Sequence, residues 1–63
     1  MKTAELRELS VADLLVKLGD LKQENLNLRI ARKLKSEMRH VSHRPIKLGI
    51  ARINTILTEK GHH

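Results

Sequence analysis

Two apolar stripes at three-four spacing, separated by a basic stretch, constrain this chain more than any other feature. Val11, Leu14, Leu18, Leu21 and Leu28 share one helical face, with Asn25 in its one polar slot. Ile46, Gly49, Ile50, Ile53 and Leu57 repeat the rhythm further along. Two amphipathic helices joined by a short link pack most simply side by side and antiparallel. The expected fold class is therefore all-α, an antiparallel hairpin of two long helices. Residues 3–9 add a short N-terminal helix, with Thr3 as its cap and Leu6 and Leu9 buried.

Local signals place the boundaries. Ser10 followed three residues later by Asp13 resembles a capping box, and the carboxylate suits the positive end of the helix dipole. A helix of ~24 residues from there runs about 36 Å at 1.5 Å per residue. Residues 35–42 read as the connection. The second long helix is expected from about Ser42 to Lys60, with Pro45 tolerable only in its first turn and Gly61 a natural stop. A polar residue such as Asn25 in a core slot more often fixes register than holds a ligand. Arg32 falls next in phase, so the core face ends there and a basic surface begins.

A second, weaker stripe runs along Leu15, Gly19, Leu26 and Ile30. It either packs the short N-terminal helix or meets a protein neighbour. Gly19 costs such a helix about 1 kcal/mol relative to Ala. Its position fits close approach by another group and fits simple tolerance equally.

A chain of 63 residues holds one domain, residues 1–63, with little room for a pocket or a small-molecule substrate. It has no cysteine and no aromatic residue, so neither disulfides nor thiolate metal sites reinforce a core of Leu, Ile and Val. Such a fold gains from any partner that binds only its folded form.

The charge is segregated. Residues 1–28 carry four basic and five acidic side chains, whereas residues 29–63 carry nine basic and two acidic. That asymmetry points to a surface for a polyanion, either nucleic acid or an anionic membrane face. No stretch approaches the ~20 apolar residues that span a bilayer. One early lysine without an apolar run behind it makes no signal peptide, so a cytoplasmic location is expected. A membrane-surface helix needs cations flanking a broad apolar face, but the first long helix is acid-rich at its start.

Catalysis finds no support. There is no Gly-rich phosphate loop, no nucleophile-base constellation and no cofactor fingerprint. His40 and His43 are spaced to share one helical face, yet two histidines without a third ligand make a poor zinc site, and His62 and His63 read the same way. Polyanion binding fares better. Arg29, Arg32, Lys33, Lys35, Arg39 and Arg44 gather at the hairpin tip with only Glu37 opposing them. On the second helix Arg44 and Arg52 lie opposite the apolar face with Thr55, and Lys47 flanks them. Guanidinium forks grip phosphate bidentately and lysine adds a mobile charge. Without aromatics to stack on bases, what remains is recognition of phosphate, sugar and shape in folded RNA.

Met1-Lys2, Glu5-Leu6-Arg7 and Leu9-Ser10 resemble the opening of the large ribosomal subunit protein twenty-nine family, in bacterial nomenclature. Asn27-Leu28-Arg29, Ile50-Ala51-Arg52-Ile53 and Thr55 follow in that family's order and spacing, so the resemblance covers nearly the whole chain. It implies a structural, non-enzymatic constituent of the ribosome without cofactor, bound to large-subunit ribosomal RNA near the polypeptide exit tunnel. It also implies ribosomal protein twenty-three as a neighbour. By matching positions, RNA-contact roles carry over to Arg7, Arg29, Lys47 and Arg52. Lys47 stands where the family usually has arginine, which keeps charge but loses the planar fork.

The departures carry their own expectation. Leu48 and Asn54 stand where relatives are commonly basic, and Leu26 replaces an aromatic. The turn, often nearly neutral in the family, is here the basic stretch from Arg32 to Arg44. RNA contacts are therefore expected to shift toward the tip. A different class of function, a coiled-coil interaction module dimerising through the Val11-to-Leu28 stripe, predicts tight self-association and indifference to RNA.

Overall fold

The computed structural model describes residues 2–62; Met1 and His63, and the readings that fall on them, lie outside the described residues. Its elements are α1 (Thr3–Arg7), α2 (Val11–Leu34), a single 3-10 turn (Ser36–Met38) and α3 (Arg44–Glu59). The long helices pack against each other as an antiparallel hairpin, and α1 lies on α3. No strand occurs among the described residues, and the molecule extends 41 Å along its long axis.

Ser10 caps α2 as its position predicts: its Oγ accepts the Asp13 backbone N–H at 3.1 Å. Thr3 does not cap α1. Lys2 holds the extended cap conformation, and Thr3 is already helical, so its hydroxyl is past the position from which it would reach the free N–H groups. α1 stops at Arg7 rather than residue 9, although the Leu9 N–H still reaches the Leu6 carbonyl at 3.2 Å. Leu6 is buried and Leu9 partly so. α3 is trimmed at both ends, since Ser42 lies outside the helix and accepts the Arg44 N–H at 3.0 Å. Pro45 sits in the first turn, where its missing N–H leaves no helical bond unmade. Gly61, at φ 81°, closes α3: its N–H reaches Thr58 O at 3.0 Å and the His62 N–H reaches Leu57 O at 2.9 Å.

The core is Leu6, Leu14, Leu18, Ile53, Ile56 and Leu57, with Leu9, Val11, Leu21 and Ile50 packed around it. Ile56 falls outside the α3 stripe read from spacing. It is buried because α1 covers a second face of α3. Toward the tip, Gly49 lets Leu21 come close, since a Cβ built on Gly49 would stand 3.1 Å from Leu21 Cδ1. The α2 edge stripe stays bare: Leu15, Leu26 and Ile30 are 40%, 44% and 46% exposed. α1 does not cover it, and nothing within 4 Å meets a Cβ built on Gly19.

Candidate nucleic-acid interface

Beyond the core the hairpin is held by polar contacts. Asn25, the polar member of the α2 stripe, accepts a hydrogen bond at 2.7 Å from Nδ1 of His43, the N-cap residue of α3. This pin ties α2 to the start of α3 across the tip, a register role consistent with a polar residue in a core slot. Burial, and then the charges of Arg32, Lys47 and Arg29, hold the His43 imidazole below the usual histidine range. His43 therefore shares no helical face with His40, which lies in the turn after Met38. No cluster of three or more possible metal ligands occurs among the described residues.

Arg32, next in phase on α2, is half-buried and turned to the link. Its guanidinium donates to the Arg39 carbonyl at 3.1 Å and so anchors the connection that carries Arg39. The result is a cleft of about 250 Å³ lined by Arg29, Arg32, Lys33, Arg39 and His43. Four of these residues are cations predicted for RNA contact. Lys35, at the C-cap of α2, and Arg44 and Lys47 on α3 are exposed residues of the same tip region.

Two predicted residues lie elsewhere. Arg7 forms a bidentate pair with Glu59 at the far end of the hairpin, with both hydrogen bonds at 3.2 Å. That bond holds the Glu59 carboxyl below its ordinary range and raises the Arg7 guanidinium further. Arg52 lines a shallow groove on the outer face of α3 with Thr3, Leu48, Ala51, Thr55 and Ile56. The Thr55 hydroxyl there donates to the Ala51 carbonyl at 2.9 Å, which turns it back onto the helix. Sequence reasoning missed the Asn25–His43 pin and the Arg7–Glu59 pair, because both join residues distant in the chain. The polar interruption at Asn25 was the one available sign of the first.

The model of the ribosomal L29 protein family matches residues 4–60, nearly the whole hairpin. The chain belongs to that family. It is 42% identical over 60 residues to large ribosomal subunit protein uL29 of Fusobacterium nucleatum subsp. nucleatum, an alignment that spans 95% of this chain and all of that one. The protein of the same name in Thermoanaerobacter pseudethanolicus is 46% identical over 63 residues, covering 95% of this chain and 87% of the relative. That of Saccharolobus solfataricus is 41% identical over 56 residues, covering 89% and 77%. No solved structure matches the chain. Family membership makes the chain a structural constituent of the large ribosomal subunit and not an enzyme. Its place is with the ribosome in the cytoplasm. No described helix is long and apolar enough to cross a membrane.

Proposed function

We propose that this chain, acting as one helical-hairpin domain over residues 1–63, binds large-subunit ribosomal RNA near the polypeptide exit tunnel beside ribosomal protein twenty-three. The observation that carries the RNA reading is the tip cleft, walled by Arg29, Arg32, Lys33, Arg39 and His43 with no carboxylate among its described lining residues. Clustered cations, with Glu37 the one acidic residue in the link, attract a polyanion over a distance of about a Debye length. Lys35, Arg44, Lys47 and Arg52 extend the surface away from the cleft. Arg7, paired with Glu59 at the far end of the hairpin, still has exposed N–H donors for a phosphate oxygen. The contacts read backbone and shape, since the chain has no aromatic residue to stack on a base.

The exit-tunnel location and the neighbour rest on the family relationship. The exposed Leu15, Leu26 and Ile30 edge supports a protein neighbour, because it offers an apolar strip that the chain itself leaves uncovered. The coiled-coil reading is disfavoured: Leu14 and Leu18, its central positions, are already buried in the core with Ile53 and Leu57.

Retention on large subunits through a high-salt wash tests the assembly, and cross-linking from Leu26→Cys tests the neighbour. RNA affinity measured against salt tests the interface. Lys33→Ala with Lys35→Ala is expected to reduce the slope of log K against log salt by roughly one for each phosphate no longer neutralised. These two lysines are preferable to Arg32, whose removal also frees the Arg39 carbonyl. An unchanged slope refutes the tip as the RNA-binding surface.

A further inference from the structure

We infer that the tip cleft is a seat for a single phosphate group of the RNA backbone, and that His43 takes up a proton when the phosphate binds. This rests on the RNA reading above and gives it a particular atom and a pH dependence.

The pin with Asn25 decides which ring atom serves the cleft. With Asn25 Oδ1 as acceptor at 2.7 Å, the contact assigns the His43 proton to Nδ1. In the neutral ring Nε2 then carries the lone pair, and a second proton can go only there. Once protonated, Nε2–H is a charged donor on a residue that lines the cleft.

The surroundings make that second proton unfavourable until an anion arrives. From α2, His43 faces Arg29 and Arg32, with Lys33 on the same cleft wall; the link contributes Arg39, and α3 contributes Lys47. No carboxylate lines the cleft among the described residues. Burial, and then these cations, disfavour the charged ring. A phosphate in the cleft reverses the local field and offers an acceptor for Nε2–H, so binding draws one proton from the solvent. The cleft, at about 250 Å³, has room for a phosphate group with its waters. Arg32 is already held by the Arg39 carbonyl, so one guanidinium of the wall is positioned before binding.

The test follows the ring signals of His40 and His43 by NMR in the full chain, from about pH 5 to pH 8. Inorganic phosphate, chloride at equal ionic strength, an acidic peptide and an RNA duplex serve as separate probes. Phosphate and RNA are expected to move the His43 midpoint upward. Arg39→Ala keeps the backbone carbonyl that Arg32 uses, so it is expected to weaken the phosphate response without loosening the link. RNA affinity of the unaltered chain is expected to rise several-fold between about pH 7.5 and pH 5.5, and to be nearly flat in His43→Gln. A His43 midpoint that moves equally in chloride and phosphate overturns the cleft. So does one that answers only to the acidic peptide. RNA binding indifferent to pH and to Arg39→Ala overturns the phosphate seat but leaves the RNA reading standing. A His43 response to phosphate in a chain that ignores RNA supports the seat and removes RNA as its source.

Discussion

Replacing Gly19 with alanine raises the stability of the free chain. Gly19 lies mid-way along α2, its backbone is helical, and a Cβ built there meets nothing within 4 Å. The substitution therefore gains the helix-propensity difference of about 1 kcal/mol without a packing penalty. Unfolding entropy near 2.1 cal/mol/K per residue gives roughly 130 cal/mol/K for a chain of this size, so Tm rises by about 8 °C. Gly49→Ala makes the same helical gain, but its methyl group stands 3.1 Å from Leu21 Cδ1 and Leu21 must shift by a few tenths of an ångström. Its Tm gain is smaller or negative. Circular dichroism at 222 nm during heating, at two concentrations to separate folding from association, measures both. A Gly19→Ala gain below about 2 °C, or a Gly49→Ala gain as large as that of Gly19→Ala, refutes the packing described.

Ile53→Val removes one methyl group from a fully buried position, and a loss of about 1 kcal/mol in chemical denaturation checks it. Glu59→Gln tests the pair with Arg7: Glu59 titrates below its ordinary range, so its stabilisation is complete above the unfolded carboxylate pKa and disappears as pH falls through the lowered value. The Tm difference between the two proteins is thus present at neutral pH and vanishes in acid; a difference independent of pH contradicts the pairing. Asn25→Ala releases His43, and amide exchange is expected to quicken around the start of α3 while the Leu14 and Ile53 region keeps its protection. Equal loosening at both ends rules out a local pin.

Both long helices were legible because their signals are local. Ser10 caps from its own side chain, Pro45 and Gly61 mark the ends of α3 by backbone constraint, and the α2 stripe repeats often enough to define a face. Ile56 was not legible, because its burial depends on α1 crossing α3, and spacing within α3 carries no information about a second neighbour. The candidate site divides the same way. A basic tip follows from composition along the chain, whereas the uses of its members are set by tertiary partners: Arg32 braces the link, Arg7 pairs with Glu59, and His43 is joined to Asn25. The spacing of His40 and His43 suggested a shared helical face only on the assumption that both were helical, and the link ends between them.

The buried residues all belong to one end of the molecule, positions 6 to 18 and 53 to 57, and none of the described residues between them is buried. Beyond Leu21 and Ile50, which still pack on the core, changes toward the tip alter what the hairpin touches without opening its interior. The charge of the tip can therefore be altered while the base keeps its packing. The basic tip is thus a fitting carried on a separately packed stem, and its charges are held outside the core that folds the chain.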